Sequence, residues 1–261
     1  MISLSPTDLA VASVLVALDA AASVALRLRL HRQLLWATVR MVAQLIAVGF
    51  ILRFIFTLNN PWATLAIVVV MATIAGREIA ARPVHKFRGL AGLGISVSTV
   101  ALATIVTAGL ALTTAIRPHP WYDPRYAVSL VGIILGSVLN AGSLTLDGVV
   151  GGVWREKAAI EAQLGLGVEF RRATLPLLRE AIRRGLLPII NQMSAAGLIT
   201  LPGIMTGQII AGMDPLEAVK YQILLMFLLA GASGVAALAI AELALRRLTD
   251  PRQRLRLDRL K

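Results

Sequence analysis

Long apolar stretches, separated by short polar or proline-containing segments, dominate the chain. A helix needs roughly 18 or more apolar residues to cross the hydrocarbon core of a bilayer, which is about 30 Å thick. Stretches of that length recur about seven times, and their lengths favour helices over strands. We therefore predict an all-α, polytopic membrane protein of about seven transmembrane helices, forming one domain over residues 1–261. The predicted spans are 8–26, 34–58, 62–79, 90–116, 126–150, 186–211 and 216–245.

Basic residues are distributed unevenly between the two ends of these spans. If the ends of the first, third, fifth and seventh spans lie on one side, that side holds 21 of the 26 lysines and arginines. Positive residues accumulate in the cytoplasmic segments of membrane proteins. The amino terminus is therefore predicted to lie outside and the carboxyl terminus in the cytoplasm.

Composition supports a membrane location and limits the possible chemistry. The chain is 57% hydrophobic and 15% charged, whereas soluble proteins average about 45–50% and about 25%. A net charge of +12 would suggest nucleic-acid binding in a soluble protein. Here that charge follows from membrane topology, so no nucleic-acid partner is predicted. The sequence contains no cysteine, which excludes disulfides, thiolate nucleophiles and cysteine metal ligands.

The predicted cytoplasmic segment 154–185 is the longest polar part of the chain. Its pattern predicts two short helices, the first over 155–163 and the second from Val168 onward, interrupted or restarted at Pro176. An amphipathic helix of this kind can fit the cleft of a partner protein. It can equally lie on anionic lipid headgroups, and the residues alone favour neither interpretation.

The predicted sixth span is unusually rich in helix-breaking and polar residues. Pro202 removes a backbone hydrogen bond and is expected to kink the helix. Amide side chains are costly against lipid and should face protein or a water-filled path. Broken helices bind cargo in transporters, although a kinked packing helix is the alternative. The candidate substrate path or hinge in this span comprises Asn191, Gln192, Met193, Pro202, Gly203, Met205 and Gln208.

Two features of this span have alternative interpretations. Met193 and Met205 are potential ligands of a soft metal ion, yet methionine more often fills a hydrophobic core. On a straight helix Gln192 and Gln208 would point in nearly opposite directions, about 160° apart. Either a kink at Pro202 directs both side chains to one path, or they serve different faces.

Arg40 and Gln44 add two polar side chains to the predicted second span. They are four positions apart and therefore share one face of a helix. Ionisable residues inside a membrane span are costly and mark functional sites by default. We include both residues in the candidate substrate path, and a structural ion pair of Arg40 with Asp19 on the preceding span is the alternative.

Several sequence motifs of enzymes are absent. No G-x-x-x-x-G-K-[ST] phosphate loop occurs, and none of the four lysines follows a glycine. Neither H-E-x-x-H nor G-x-S-x-G is present. The chain is therefore not predicted to be an ATPase, a zinc protease or a serine hydrolase, and no cofactor is predicted to bind it.

Residues 160–167 and 173–188 resemble the cytoplasmic coupling loop of ABC permeases. The pair Glu161-Ala162, followed six residues after Glu161 by Gly167, is similar to the start of the EAA loop of importers. Leu175-Pro176 comes a few residues too early for that motif. The resemblance implies an ATPase-coupling role for Glu161, Leu164, Gly167, Arg171 and Arg172.

A second resemblance covers residues 35–227 and is more specific. Residues 196–212, Asp214-Pro215, residues 220–223 and residues 40–49 are similar to the FetB-type permease family of iron exporters, whose plant relatives act in aluminium tolerance. The resemblance implies an inner-membrane permease that pairs with a separate cytoplasmic ABC ATPase, two copies of each, with ATP and Mg on the ATPase. It also implies export of a metal ion, iron first, although the sequence shows no obvious metal ligands.

An ion-coupled secondary transporter or channel is the alternative function. It would explain about seven spans and a broken helix. It would not need the long basic cytoplasmic segment, which is the feature that favours an ATPase partner.

Overall fold

The computed structural model describes residues 5–58, 60–115, 120 and 123–261. These residues form nine α-helices, a π-helical turn at Ala111–Ala115 and a 3-10 turn at Leu257–Arg259. The prediction of an all-helical membrane protein is confirmed. The helices are α1 Pro6–Ala25, α2 His31–Leu58, α3 Pro61–Ala81, α4 Ala91–Leu110, α5 Pro124–Arg155, α6 Lys157–Gly165, α7 Phe170–Ala195, α8 Gly203–Ile210 and α9 Pro215–Leu248.

Four of the long helices begin in the same way, with a capping side chain followed by proline. The cap residue accepts a hydrogen bond from a backbone N–H of the first turn, and proline fits there because its missing N–H would have no helical partner. In the predicted topology all four helices start on the outer side. The pairs are Ser5-Pro6, Asn60-Pro61, Asp123-Pro124 and Asp214-Pro215.

In the part of the chain that the structure describes, six helices are long and apolar enough to cross a membrane, and they coincide with six of the seven predicted spans. The spans are Thr7–Ala25, His31–Thr57, Pro61–Ala81, Ala91–Thr114, Pro124–Arg155 and Pro215–Leu248. Ile116, at the predicted end of the fourth span, lies outside the described residues. The count of seven spans and the orientation of the termini stay predictions.

The predicted sixth span, 186–211, differs from a single kinked helix. α7 ends at Ala195, and Gly197 adopts a positive φ of 90° that turns the chain. Its N–H then donates to the carbonyl of Thr200 at 2.9 Å. Pro202 is the residue before α8 and not a kink inside a helix. The kink prediction was therefore wrong in position, because the left-handed glycine ends the helix before the proline is reached.

The predicted interruption at Pro176 was also wrong. α7 runs from Phe170 to Ala195 through both Pro176 and Pro188. Proline inside a helix costs about 3 kcal/mol, but Pro176 lies on the exposed face while Ala173, Leu177 and Ala181 are buried. Packing of that buried face against α5 outweighs the missing hydrogen bond. The second half of the polar segment and the start of the predicted sixth span are thus one helix.

The chain divides into two compact units. The first, Met1–Asn59, contains the α1–α2 hairpin, whose turn is closed by a 3.0 Å hydrogen bond from the Leu30 N–H to Ser23 Oγ. The second, Asn60–Lys261, contains the remaining helices, with α5 packed against α3, α4, α7 and α9. Small residues let these helices approach closely, and this rigid core positions the site described below.

Candidate functional site

The turn between α6 and α7 carries the predicted ATPase-coupling residues. α6 covers Lys157–Gly165. The first short helix of the polar segment was predicted over 155–163, so each end differs by two residues. Gly167 has a positive φ of 83°, a conformation that only glycine adopts without strain. Glu161, Leu164 and Gly167 line one cavity of about 470 Å³. The structure therefore brings these three predicted residues together.

Arg171 and Arg172 occupy the first turn of α7, next to this turn. Both side chains are exposed. A guanidinium nitrogen of Arg171 lies 3.7 Å from a carboxylate oxygen of Glu242 on α9. Such an exposed pair contributes little to stability, so the two arginines give this face its positive charge more than its rigidity.

The carboxyl-terminal tail forms the other wall of the same cavity, a contribution that sequence reasoning missed. Gln253 Oε1 accepts a 2.8 Å hydrogen bond from the backbone N–H of Phe170, the first residue of α7. The preceding residue, Glu169, makes no side-chain cap. Gln253 therefore supplies the cap of α7 from a segment 83 residues away.

Asp250 orders the tail through hydrogen bonds to its carboxylate. Its oxygens accept from the backbone N–H groups of Arg252 and Arg254, at 2.9 and 3.0 Å, and from Arg254 Nε at 2.8 Å. The bonds donated by Arg254 hold the pKa of this carboxyl below its usual value. In the same way Arg256 lowers the pKa of Asp258 to about 2.

The end of the tail joins the loop between α3 and α4. The Arg88 N–H donates to the Arg259 carbonyl at 2.8 Å, and the Lys261 N–H donates to the Lys86 carbonyl at 2.7 Å, while Leu260 is buried. In that loop His85 stacks on Trp154, with ring centroids 4.3 Å apart. We call residues 82–90, 154–170 and 249–261 together the tail platform. The apolar positions Leu255, Leu257 and Leu260 among arginines were the sequence signal for it.

A small polar pocket lies between α5, α7 and α9. Gln192 lines it together with Ser137, Asn140 and Ser233, and its volume is about 30 Å³. That is enough for about one water molecule. Asn191, the neighbour of Gln192, is exposed and does not line this pocket.

An apolar cavity of about 460 Å³ lies where α7, the 196–202 turn, α8 and α9 meet. It brings together three of the predicted residues, Met193, Pro202 and Met205. Sequence reasoning missed the contribution of α9, although the amide of Gln222 within the predicted seventh span was a signal for it. The α9 residues used below are Gln222, Met226 and Phe227.

Gln208 and Gly203 lie on α8 but do not line either cavity. The Gln208 Oε1 atom is buried and has no hydrogen-bond partner among the described residues. Gln192 lines the polar pocket and Gln208 does not, and the two interpretations of their path stay predictions. Gly203 and Gly207 have open space beside them.

Arg40 and Gln44 belong to the first unit. Both lie on α2 with exposed side chains, one helical turn apart, as their spacing predicted. Among the described residues no three histidine or acidic side chains are grouped so as to hold a metal ion. No metal site of this kind is therefore identified in the described part of the chain.

The chain is similar over most of its length to known membrane proteins. A family described as uncharacterised protein family UPF0014 matches residues 6–249. The UPF0014 membrane protein slr1647 of Synechocystis is 38% identical over 87% of both chains. The UPF0014 membrane protein STAR2 of Oryza sativa is 35% identical over 87% of this chain and 78% of its own. The probable iron export permease protein FetB of Escherichia coli is 30% identical over 90% and 88%, and no solved structure matches.

Proposed function

The chain belongs to the UPF0014 family of membrane proteins, and we propose on that premise that it is the permease subunit of an ATP-driven ABC transporter exporting a metal ion. Iron is the first candidate, because a relative at 30% identity is named a probable iron export permease. The protein is a multi-pass membrane protein with six helices capable of spanning a bilayer. In the proposal it resides in the inner membrane.

The observation that carries the proposal is the α6–α7 turn. Leu166 at its tip is 84% exposed, although the predicted topology places it in the cytoplasm and away from the lipid core. Single exposed apolar side chains are common on proteins, but Leu166 projects from a turn next to a cavity of about 470 Å³, so the turn offers a partner both a protruding side chain and a recess. Exposed Glu161 and Glu169 offset the exposed arginines beside the turn, so the charge here is mixed and not uniformly basic, as an anionic lipid surface would favour. Both features favour a partner's cleft over a lipid surface.

The proposed partner is a cytoplasmic ABC ATPase that binds ATP and Mg. This chain lacks a phosphate loop, so hydrolysis must occur on another subunit. One chain offers one α6–α7 turn, whereas a motor with two ATPase subunits needs two, so the proposed assembly contains two permeases. The open space beside Gly203 and Gly207 would let a helix of the second copy approach closely.

The proposed cargo route follows α7 and α8. The polar pocket around Gln192 supplies hydroxyl and amide oxygens, which are ligands that cations accept. Arg40 and Gln44, on α2 of the first unit, are also proposed as substrate-path residues. Met193, Pro202, Gly203 and Met205 lie at the break, where a change in backbone direction would open or close it.

Substitution of Gly167 tests the coupling role. The Gly167→Ala change forces a side chain into a left-handed conformation, at a cost of about 1–2 kcal/mol. We expect reduced metal transport per ATP hydrolysed, with the permease still inserted in the membrane and still bound to its ATPase. Gly165→Ala is the matched control, because Gly165 closes α6 in a helical conformation and has open space around it. Equal coupling in the two variants would refute the docking role of the turn.

Native mass spectrometry of the permease purified with its ATPase tests the assembly. We expect a complex of two permeases and two ATPase subunits. A stable complex of one copy each under gentle conditions would contradict the proposal of a dimer.

A further inference from the structure

The apolar cavity beside the α7–α8 break has the dimensions of a small-molecule site. Its volume is about 460 Å³, within the range of about 300–1,000 Å³ typical of ligand pockets. Three thioether side chains, Met193, Met205 and Met226, line it with the ring of Phe227. Methionine side chains adapt their shape to different apolar ligands.

One buried polar atom in this cavity lacks a partner. Gln222 is only 7% exposed, and its Oε1 accepts no hydrogen bond from any described residue. An amide oxygen without a donor in an apolar environment is costly, and leucine or methionine at this position would avoid that cost. The oxygen is therefore explained if a donor arrives from a molecule bound in the cavity.

The chemistry of the lining excludes a metal ion as the best occupant. No described residue that lines the cavity carries a charge or an imidazole, so a hard cation would lose its hydration without compensation. A soft ion would find only thioethers, with no charged side chain beside them. The cavity is also far larger than a single ion. The occupant should be mostly apolar and uncharged, with one hydrogen-bond donor.

We propose that this cavity binds an uncharged, mostly apolar organic molecule whose single hydroxyl or N–H group donates to Gln222 Oε1. The inference goes beyond the metal-export function and does not depend on it. The occupant would contact α7, α8 and α9 at once. Its binding would therefore favour one arrangement of the broken helix over others.

Photolabelling with two matched probes tests the site. The first is 4-(3-trifluoromethyl-diazirinyl)benzyl alcohol, and the second is the same molecule with a methyl group in place of the hydroxymethyl group. The protein is reconstituted in lipid nanodiscs, irradiated with each probe and digested, and the labelled peptides are identified by mass spectrometry. We expect saturable labelling of residues 193–205 and 219–227. The alcohol should label them about three- to tenfold more than its methyl analogue, because one hydrogen bond increases the affinity by about that factor.

The Gln222→Met variant keeps the length of the side chain and removes the acceptor. We expect it to label equally with both probes at these peptides, while Gln33→Met, a control at an exposed position of α2, keeps the wild-type preference. Equal labelling of wild-type protein by the two probes would overturn the proposal, and this comparison does not require the variant to fold. Labelling spread evenly over all apolar helices, as expected of a lipid-facing surface, would also overturn it. So would an unlabelled cavity, as expected if a second copy of the chain filled it.

Discussion

Gly185 lies at the closest approach of α5 and α7. A Cβ atom at this position would collide with Thr145 Oγ1 and lie 2.9 Å from the Ala141 carbonyl oxygen. Since Ala141 contributes backbone, the helices must separate to admit even one methyl group. The absence of a side chain at Gly185 therefore sets the distance between the two helices that carry the polar pocket.

The Gly185→Ala variant should be destabilised by about 1–3 kcal/mol, the typical cost of overpacking a core. Gly136→Ala on α5 is the control, because nothing lies within 4 Å of a Cβ atom there. Thermal unfolding of the detergent-solubilised protein, followed by size-exclusion fluorescence, would measure both. Equal melting temperatures for the two variants would show that the α5–α7 contact tolerates expansion.

At the scale of the single helix, the hydrogen bond from the Phe170 N–H to Gln253 Oε1 caps the start of α7. Replacing Gln253 by asparagine shortens the side chain by one methylene and removes the bond. Asparagine tolerates the positive φ of 58° found at this position, so the backbone is not strained further. The variant thus isolates the cap from the conformation of the tail.

Hydrogen exchange measured by mass spectrometry should be faster in the Gln253→Asn variant around Phe170. Loss of a helix cap costs about 0.5–2 kcal/mol, which corresponds to about two- to thirtyfold faster exchange through local opening. Gln163→Asn is the control, because Gln163 lies exposed on the neighbouring α6. Unchanged protection at residues 168–174 would mean that the tail does not hold the coupling turn.

Acid should release the tail, because its carboxylates have lowered pKa values. Hydrogen bonds from Arg254 lower the pKa of Asp250, and Arg256 lowers that of Asp258 to about 2. The unfolded value is about 3.9. A carboxyl whose pKa is lower in the folded state stabilises fully above the unfolded value and loses that effect as the pH falls through the folded value. The stabilisation should thus persist at neutral pH and decline between about pH 4 and pH 2.

Pepsin digestion between pH 5 and pH 2 would follow this release. The ratio of tail cleavage in the protein to cleavage of a free peptide of residues 249–261 should rise as the pH falls. The free peptide is the control for the pH dependence of pepsin itself. A constant ratio would contradict a role for Asp250 and Asp258 in holding the tail.

The elements that sequence predicted correctly are those defined by one physical property. Six spans follow from the length of apolar stretches, and the end of α6 follows from Gly165 and Gly167. The continuity of α7 through Pro176 could not be predicted, since it depends on packing against α5. The break at Gly197 was placed too late, because proline is a stronger sequence signal than a single glycine.

The candidate site was predicted in part for the same reason. Glu161, Leu164 and Gly167 are close in sequence and meet in one turn. Gln253 was missed because Phe170, to which it is hydrogen-bonded, is distant along the chain. Gln222 was missed because the other residues that line its cavity, at the α7–α8 break, are also distant in sequence. No local pattern encodes such contacts, which arise only when the helices have packed.

At the scale of the whole molecule, the α6–α7 turn has a proposed docking role and the break beside α8 has a proposed role in the cargo route. The carboxyl-terminal tail holds the α6–α7 turn in place for the proposed ATPase, and α7 leads without interruption from that turn to the break beside α8. A movement imposed on the turn would thus reach the broken helix through one rigid element.

Transport in proteoliposomes tests the central claim most directly. The permease is reconstituted with its ATPase on the outer surface, and radioactive ferrous iron and ATP are added outside. We expect ATP-dependent accumulation of iron in the lumen, abolished by vanadate and absent when the ATPase is omitted. Accumulation that an ion gradient drives equally well without the ATPase would contradict the central claim.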